Sequence, residues 1–237
     1  MTTKAIILKK QNTNEYDQLV DCYTEDFGKI TAIAKSILKP GSIQALHLDT
    51  FNLVEFELVG GSASWRMPII TGAQTANSYV GIKSSTAKTA VAYFFIEAID
   101  KMVFENDKDD KLWCFLITFF SELNKNDASP GILLRQGQSR LLDILGYLPE
   151  VNSCKSCNDK IDTETFGAFN HALGGIVCKR CFLDGQGGIL ISQEDFSLLN
   201  LNYNNGTKDY RRSVLDGMFE YVSGGKFSSL ELMSVIK

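Results

Sequence analysis

Hydrophobic and polar residues alternate along the first 75 residues of the chain, in short stretches separated by turns. The alternation is clearest in FNLVEFELV, where Val54, Phe56 and Leu58 face the opposite side from Leu53 and two glutamates. This two-residue period is typical of a strand with one buried face. Strands are predicted at 5–10, 19–24, 29–36, 51–59 and 62–70. Five short strands with glycine-containing turns predict a small barrel or sandwich.

The hydrophobic period changes near residue 80. From Ala87 to Met102, apolar residues recur three and four positions apart, which is the spacing of a helix with one buried face. A second helix is predicted over 111–123, apolar almost all round and therefore internal, and a third over 132–146. A capping-box signature at Ser192 and Asp195 precedes another short helix. Two further helical segments are predicted at 214–222 and 230–236.

Two Cys-x-x-Cys pairs carry the strongest chemical signal. Cys154 and Cys157 form the first pair, Cys178 and Cys181 the second, and 20 residues separate them. Each pair can form a tight knuckle in which two thiolates converge on one ion, and two knuckles complete the closed tetrahedral shell of structural zinc. A catalytic zinc keeps one position open for water. We therefore expect a zinc-stapled module without hydrolytic chemistry at the metal.

Other uses of the cysteines fit the sequence less well. No apolar leader or cleavage signal follows Met1, which indicates a cytoplasmic protein with reduced thiols and argues against disulfides. A thioredoxin-like dithiol needs one pair at a helix start, not two pairs at this spacing. An iron–sulfur cluster also uses four thiolates and stays open as the alternative to zinc. Cys22 and Cys114 lie in apolar runs and are expected to be buried.

Composition limits the classes of function. The chain has 237 residues, which predicts two or three domains. Its net charge of −4 and pI of about 5.3 argue against nucleic-acid binding through overall positive charge. No apolar stretch has membrane-spanning length. The sequence contains neither a phosphate-binding loop nor a zinc-protease or serine-hydrolase motif, so we expect a protein that is not an enzyme.

Longer segments, taken in chain order, carry a family resemblance. AIILKK is followed by EYDQLVDCYTEDFGKITAIAKS, and RLLDILGYLPEVNSCKSC leads into the first cysteine pair. GGIVCKRC contains the second pair, and RRSVLDGMFEYVSGGKFSSLELM forms the tail. Together these segments resemble the RecO family of bacterial DNA repair and recombination mediators. The resemblance covers essentially the whole chain.

The pattern and the resemblance together predict an α+β protein with several domains. We expect an N-terminal OB-type β-barrel over 1–80 and a central helical bundle over 81–150. A four-cysteine zinc finger is expected over 151–185. Short C-terminal helices over 186–237 are expected to pack on the helical domain.

The resemblance also implies a function and partners. Family members bind single- and double-stranded DNA and anneal complementary strands. With RecR they help to load RecA onto DNA coated with single-strand-binding protein, in the RecF/RecOR pathway. The implied partners are therefore DNA, RecR, the C-terminal tail of the single-strand-binding protein and, indirectly, RecA, with no membrane partner. The implied location is the bacterial cytoplasm, at the nucleoid.

An OB-type barrel binds single strands through cations and aromatic stacking platforms. The candidate DNA-contacting residues are Lys9, Lys10, Lys35, Lys39 and Arg66, with Lys29 as a further cation. Possible stacking platforms are Tyr16, Tyr23, Phe27 and Trp65. The family is usually rich in Arg and Lys along the strand matching TAIAKS and the loop after it, whereas this chain has only two lysines there. A lysine on a strand is also a common means of protecting a sheet edge.

The helical and cysteine-rich regions offer further candidates. Arg135 and Arg140 could line a helix end, and four phenylalanines could line an apolar slot for the partner's tail: Phe94, Phe95, Phe119 and Phe120. Lys179 and Arg180, inside the second knuckle, are expected to face solvent, where they could contact phosphate or stabilise neighbouring thiolates. Two alternatives remain open: a zinc-ribbon adaptor that binds proteins and has little DNA affinity, and an enzyme in which the metal is only a staple.

Overall fold

The computed structural model describes residues 1–60, 67–125, 129–199 and 212–235. The chain forms two compact units, Met1–Asn126 and Asp127–Lys237. The helical region predicted over 81–150 is divided between them. The four predicted domain boundaries stay predictions. In the described part of the chain, no helix is long and apolar enough to cross a membrane.

The first unit is built on a closed barrel with the strand order β1-β2-β3-β5-β4. The strands are β1 (Thr2–Asn12), β2 (Gln18–Thr24), β3 (Gly28–Ala34), β4 (Leu53–Val59) and β5 (Ile69–Asn77). All pairs are antiparallel except β3 with β5. Closure removes the exposed edges that an open sheet would present. The predicted OB-type barrel is confirmed.

The alternating apolar residues of β1 to β4 fill the barrel interior. Val54, Phe56 and Leu58 are buried, as their period predicts, and Ala32 and Ala34 of β3 lie in the same core. The fifth strand was predicted at 62–70, of which 62–66 lie outside the described residues, and the described strand runs from Ile69 to Asn77. Its residues after Ile70 are mostly small or polar and exposed, so backbone pairing with β4 holds this strand where hydrophobic alternation gives no signal.

Within its described residues, the first unit also contains four helices: α1 (Gln44–His47), α2 (Val80–Lys83), α3 (Thr86–Met102) and α4 (Asp110–Asn124). The Ser85 hydroxyl caps α3 by accepting from the Lys88 backbone N–H. Phe94, Phe95, Phe119 and Phe120 form a buried aromatic cluster together with Phe115, and the rings of Phe95 and Phe119 are centred 4.1 Å apart. They are core residues, as aromatic side chains at helical spacing usually are, and their burial argues against an apolar slot lined by them.

Helix α4 is less internal than its composition predicts. Cys114 is exposed, and so is Thr118 one turn later. The prediction that both isolated cysteines are buried therefore holds for Cys22, whose thiol pKa is raised by burial, and is wrong for Cys114.

The second unit begins with helix α5 and contains a three-stranded sheet of order β7-β6-β8. Its elements are α5 (Pro130–Ile144), β6 (Phe166–Asn170), β7 (Gly175–Cys178), α6 (Lys179–Leu183), β8 (Ile189–Leu190), α7 (Gln193–Leu199), α8 (Val214–Ser223) and α9 (Ser228–Val235). The capping box predicted before α7 is present, because Asp195 N–H donates to Ser192 Oγ and Ser192 N–H donates to Asp195 Oδ2, both at 3.1 Å. The predicted fold class, an α+β protein with a barrel, helices and a cysteine cluster, is confirmed.

A buried ion pair links α5 to α8. Arg135 Nη1 donates to Asp216 Oδ1 at 2.6 Å, and Gln138 Nε2 donates to the same oxygen at 2.7 Å. Asp216 Oδ2 also accepts the Ser213 N–H, which caps α8. Arg135 was considered as a helix-end cation for phosphate, but it is almost fully buried. It is therefore a structural residue of the second unit.

The loop after α3 closes over the turn between β2 and β3. The Tyr23 hydroxyl exchanges hydrogen bonds with the backbone of Asp109, and Lys29 Nζ donates to the carbonyl of Asp100 at 2.6 Å. Gly28 has a φ of +68°, and a Cβ atom there would lie 2.2 Å from the carbonyl oxygen of Asp107. Only glycine fits this position without displacing the loop.

Gly28→Ala tests this close approach against Gly41→Ala, which shares a positive φ of +82° but meets nothing within 4 Å. The left-handed backbone alone costs about 1–2 kcal/mol for a residue with a Cβ atom. We expect that loss for Gly41→Ala and about 2 kcal/mol more for Gly28→Ala, because the methyl group collides with backbone. Urea unfolding measures both. Equal losses would show that the loop moves aside freely.

Asp216→Ala leaves the Arg135 charge buried without its carboxylate. Removing one partner of a buried pair typically costs about 3–5 kcal/mol, and we expect that loss in the free energy of unfolding. Arg140→Ala, which changes an exposed residue of the same helix, should stay within about 0.5 kcal/mol of the wild type. A loss below about 1 kcal/mol for Asp216→Ala would contradict a structural role for the pair.

Candidate metal centre

The two cysteine knuckles are placed by short loops on either side of the β6–β7 hairpin. Cys154 and Cys157 lie between α5 and β6, whereas Cys178 ends β7 and Cys181 lies in α6. The backbone N–H of Lys155 donates to the Ile176 carbonyl at 2.9 Å. This bond fixes the first knuckle against the strand that leads into the second.

The four sulfur atoms converge. All four Sγ atoms lie within 4.8 Å of one another, and the Sγ atoms of Cys157 and Cys178 are 3.8 Å apart. A tetrahedral ion with bonds of about 2.3 Å places its sulfur ligands roughly 3.8 Å apart. A disulfide needs about 2.05 Å, and all six cysteines are free. The donor set therefore fits one ion with four thiolate ligands and does not fit disulfides.

Backbone N–H groups point at the sulfurs from both knuckles. Cys154 Sγ accepts from the N–H of Cys178 at 3.3 Å and from that of Ser156 at 3.4 Å. Burial raises the pKa of the Cys154 thiol, but these N–H groups and that of Cys157 outweigh it and lower the pKa to about 6. One thiolate is therefore favoured before any metal binds.

The pKa of the Cys157 thiol shifts in the opposite direction. The Asp159 N–H lowers its pKa, but burial and the neighbouring thiols of Cys154 and Cys181 raise it to about 12. Thiols crowded together resist losing further protons because like charges repel. Metal binding requires the thiolate form, so a bound cation would supply the positive charge that lets all four cysteines ionise together.

His171, a possible substitute ligand by its position between the cysteine pairs, lies outside the sulfur cluster. Its ring packs edge-on against Phe169, with centroids 5.0 Å apart, and lies near Tyr221. Burial lowers the pKa of this histidine, and its Nε2 is buried with no hydrogen-bond partner among the described residues. It is a packing residue on the far end of β6.

The candidate DNA-contacting lysines of the barrel lie in different environments. Lys9 and Lys35 are exposed. Lys39 is also exposed, and its Nζ lies 5.4 Å from the ring centre of Tyr16. Lys10 pairs with Asp49 at 3.2 Å. Arg66, like the proposed platform Trp65, falls outside the described residues.

Lys35, Lys39 and Tyr16 come together around Asp17. Ser36 N–H donates to Asp17 Oδ1 at 2.6 Å. Hydrogen bonds from Asn14 and Ser36, together with the charges of the two lysines, lower the pKa of the Asp17 carboxyl. Two other candidates are structural: Tyr23 is fully buried, and Lys29 is buried beside Asp100.

Sequence reasoning missed Asp159, which follows the first knuckle. Its carboxylate accepts a hydrogen bond from Arg180, which lies inside the second knuckle. An acidic residue just after one Cys-x-x-Cys and a basic residue inside the other was the available signal. Nothing in the spacing alone shows that the two meet.

Family models match most of the chain. Residues 1–79 match the model described as Recombination protein O N terminal, and residues 84–216 match Recombination protein O C terminal. The chain belongs to the RecO family. The predicted RecO resemblance is thereby confirmed, and RecO proteins are a family of DNA repair and recombination proteins.

Individual RecO proteins align with this chain over most of their length. The DNA repair protein RecO of Dehalococcoides mccartyi strain 195 is 32% identical over 190 residues, which cover 80% of this chain and 73% of the relative. The protein of the same name from strain BAV1 is 31% identical, covering 76% and 69%. That from Acetivibrio thermocellus is 26% identical, covering 84% and 78%.

Cys154→Ser tests whether this RecO chain holds metal through its sulfur cluster. The wild-type protein should contain about one zinc per chain, and the variant should lose it because one thiolate of a closed four-ligand shell is gone. Elemental analysis of the purified proteins gives the result. Cys114→Ser is the matched control, since it removes an exposed cysteine of α4 and should leave the metal content unchanged. Equal metal in all three proteins would contradict the site.

Proposed function

We propose that this protein is a non-enzymatic mediator of DNA repair and recombination. In this proposal it binds single- and double-stranded DNA and anneals complementary strands. With RecR it helps RecA to load onto DNA coated with single-strand-binding protein, and it works in the bacterial cytoplasm at the nucleoid. Membership of the RecO family carries the proposal, and the closed five-stranded barrel supports it, because such barrels bind single strands.

We propose zinc as the resident metal, held by Cys154, Cys157, Cys178 and Cys181. A bound zinc would supply structural cross-linking and no reactive position, since four sulfurs leave no site for water. The chain's own contribution is to aim backbone N–H groups at the sulfurs and to exclude solvent from three of them. An iron–sulfur cluster is the alternative occupant, and elemental analysis distinguishes iron from zinc.

The proposed DNA-binding surface of the barrel is the group formed by Tyr16, Lys35 and Lys39. The two ammonium groups suit phosphates, and the Tyr16 ring, 46% exposed, suits a stacked base. Lys9 is a further exposed cation on β1. Lys10 is a weaker candidate because Asp49 already neutralises it. With so few cations, affinity is expected to be modest and its dependence on salt shallow.

A protein-binding adaptor with little DNA affinity is the second candidate. Two observations favour it: the net charge is −4, and carboxylates neutralise both Lys10 and Lys29. A site for the acidic tail of the single-strand-binding protein would have to use residues other than the four phenylalanines first considered for it, since those are buried.

Charge reversal at Lys35 and Lys39 tests the DNA-binding surface. The double variant Lys35→Glu/Lys39→Glu should bind a fluorescent single-stranded oligonucleotide about tenfold more weakly at low salt. The slope of log affinity against log salt should fall by roughly 1.4, for two lost phosphate contacts. Fluorescence anisotropy measures both, and the melting temperature should hardly change because both side chains are exposed.

Lys108→Glu/Lys111→Glu is the matched control, because it changes the net charge equally at two exposed residues near the start of α4. It should bind DNA almost as the wild type does. If both double variants lost DNA affinity equally, the loss would come from overall charge, and this result would contradict the proposed surface. A wild-type protein that binds the single-strand-binding protein's tail but no DNA would favour the adaptor.

A further inference from the structure

An exposed salt bridge joins the two cysteine knuckles. Arg180 lies between Cys178 and Cys181, and its Nη2 donates to Asp159 Oδ2 at 2.7 Å. Asp159 comes two positions after Cys157, at the end of the other knuckle. The side chains are 68% and 60% exposed. An exposed ion pair by itself contributes little to stability. This pair is of interest because it joins the two cysteine knuckles.

The main chain of Asp159 belongs to the first knuckle. Its carbonyl accepts the Cys154 N–H at 2.8 Å, and its own N–H bonds to the side chain of Cys157. The carboxylate therefore starts from a backbone position that the knuckle defines. Arg180 is held equally firmly, because helix α6 begins within the second knuckle, where the Cys181 N–H donates to Cys178 Sγ.

Arg180 also reaches the most accessible sulfur. Cys157 is half-buried, whereas the other three cysteines are buried. The Arg180 guanidinium also hydrogen-bonds to the side chain of Cys157. Four thiolates around a divalent ion carry a net negative charge, which a neighbouring cation offsets. A competing chelator or an alkylating reagent would reach Cys157 first.

We propose that the Asp159–Arg180 pair is a positioning element of the metal centre that ties the two knuckles together and covers Cys157. The inference rests on the metal assignment proposed above. The cysteines determine whether metal binds, and the pair determines how fast it leaves. Arginine suits this task because its planar fork can serve a carboxylate and a sulfur at once, whereas lysine offers a single point charge.

Removal of either partner tests the proposal in the full-length, metal-loaded protein. Arg180→Ala and Asp159→Ala should each speed zinc transfer to the chelator 4-(2-pyridylazo)resorcinol about tenfold, as loss of an outer partner of a metal ligand does. The double variant should be no faster than Arg180→Ala, because both changes remove one interaction. Arg180→Lys should fall between the wild type and Arg180→Ala. Alkylation of Cys157 by iodoacetamide, mapped by mass spectrometry, should rise in parallel.

Lys179→Ala is the matched control, since it removes a cation from the same knuckle. Lys179 Nζ donates to the Glu164 carbonyl and lies 5.9 Å from the ring centre of Phe166. Because these contacts do not involve Asp159, Lys179→Ala should release zinc at the wild-type rate. Asp159→Asn keeps the side-chain shape and should also release zinc faster, which preserves the test if an alanine variant does not fold.

Two results would overturn the inference while leaving the metal assignment intact. One is that Arg180→Ala and Asp159→Asn release zinc at the wild-type rate. The other is equally fast release from Lys179→Ala and Arg180→Ala, which would make the effect one of overall charge. A metal-free wild-type protein would instead refute the metal assignment and, with it, this inference.

Discussion

Electrostatic repulsion among four crowded sulfur atoms is the constraint on which the cysteine-rich part of the second unit depends. Between residues 151 and 165 the buried apolar side chains, apart from cysteine, are those of Val151 and Ile161. So small a core cannot order a loop of this length by hydrophobic burial alone. A bound cation would neutralise the thiolates and hold the four sulfur atoms together. The free energy of metal binding would then stabilise the folded loop.

Several cations of the chain are paired with carboxylates within its structure. Lys29 is buried against Asp100, and Arg135 is buried against Asp216, so part of the positive charge serves the interior of each unit. Lys10 is neutralised at the surface by Asp49. Among the described residues of the barrel, Lys35 and Lys39 near Tyr16 are exposed, and so is Lys9 on β1. Recognition by such a group would depend on placement more than on net charge.

Much of the fold could be predicted because its signals are local. The strand period of β1 to β4, the helix period of α3 and the cysteine spacing each lie within one segment, and so does the capping box at Ser192. The start of β5 could not be predicted, because its register comes from pairing with β4 and its residues after Ile70 are mostly small or polar. The exposure of Cys114 depends on which side of α4 is covered, which an almost uniformly apolar sequence does not show.

The candidate metal centre likewise has features that the sequence predicts and features that it does not. The four cysteines of the cluster could be predicted from their spacing, whereas the Asp159–Arg180 pair depends on how the two knuckles approach each other. The Arg135–Asp216 pair joins residues 81 positions apart, so no local pattern could reveal it. His171 illustrates the converse: it lies between the cysteine pairs in the sequence, but it follows β6 outside the sulfur cluster and packs near Phe169 and Tyr221.

X-ray absorption at the zinc edge of the purified full-length protein tests the central claim most directly. The account predicts one ion surrounded by four sulfur atoms at about 2.3 Å, with no nitrogen or oxygen in its first shell. A shell that contains nitrogen or a water oxygen would contradict the closed four-sulfur centre, as would protein that carries no zinc.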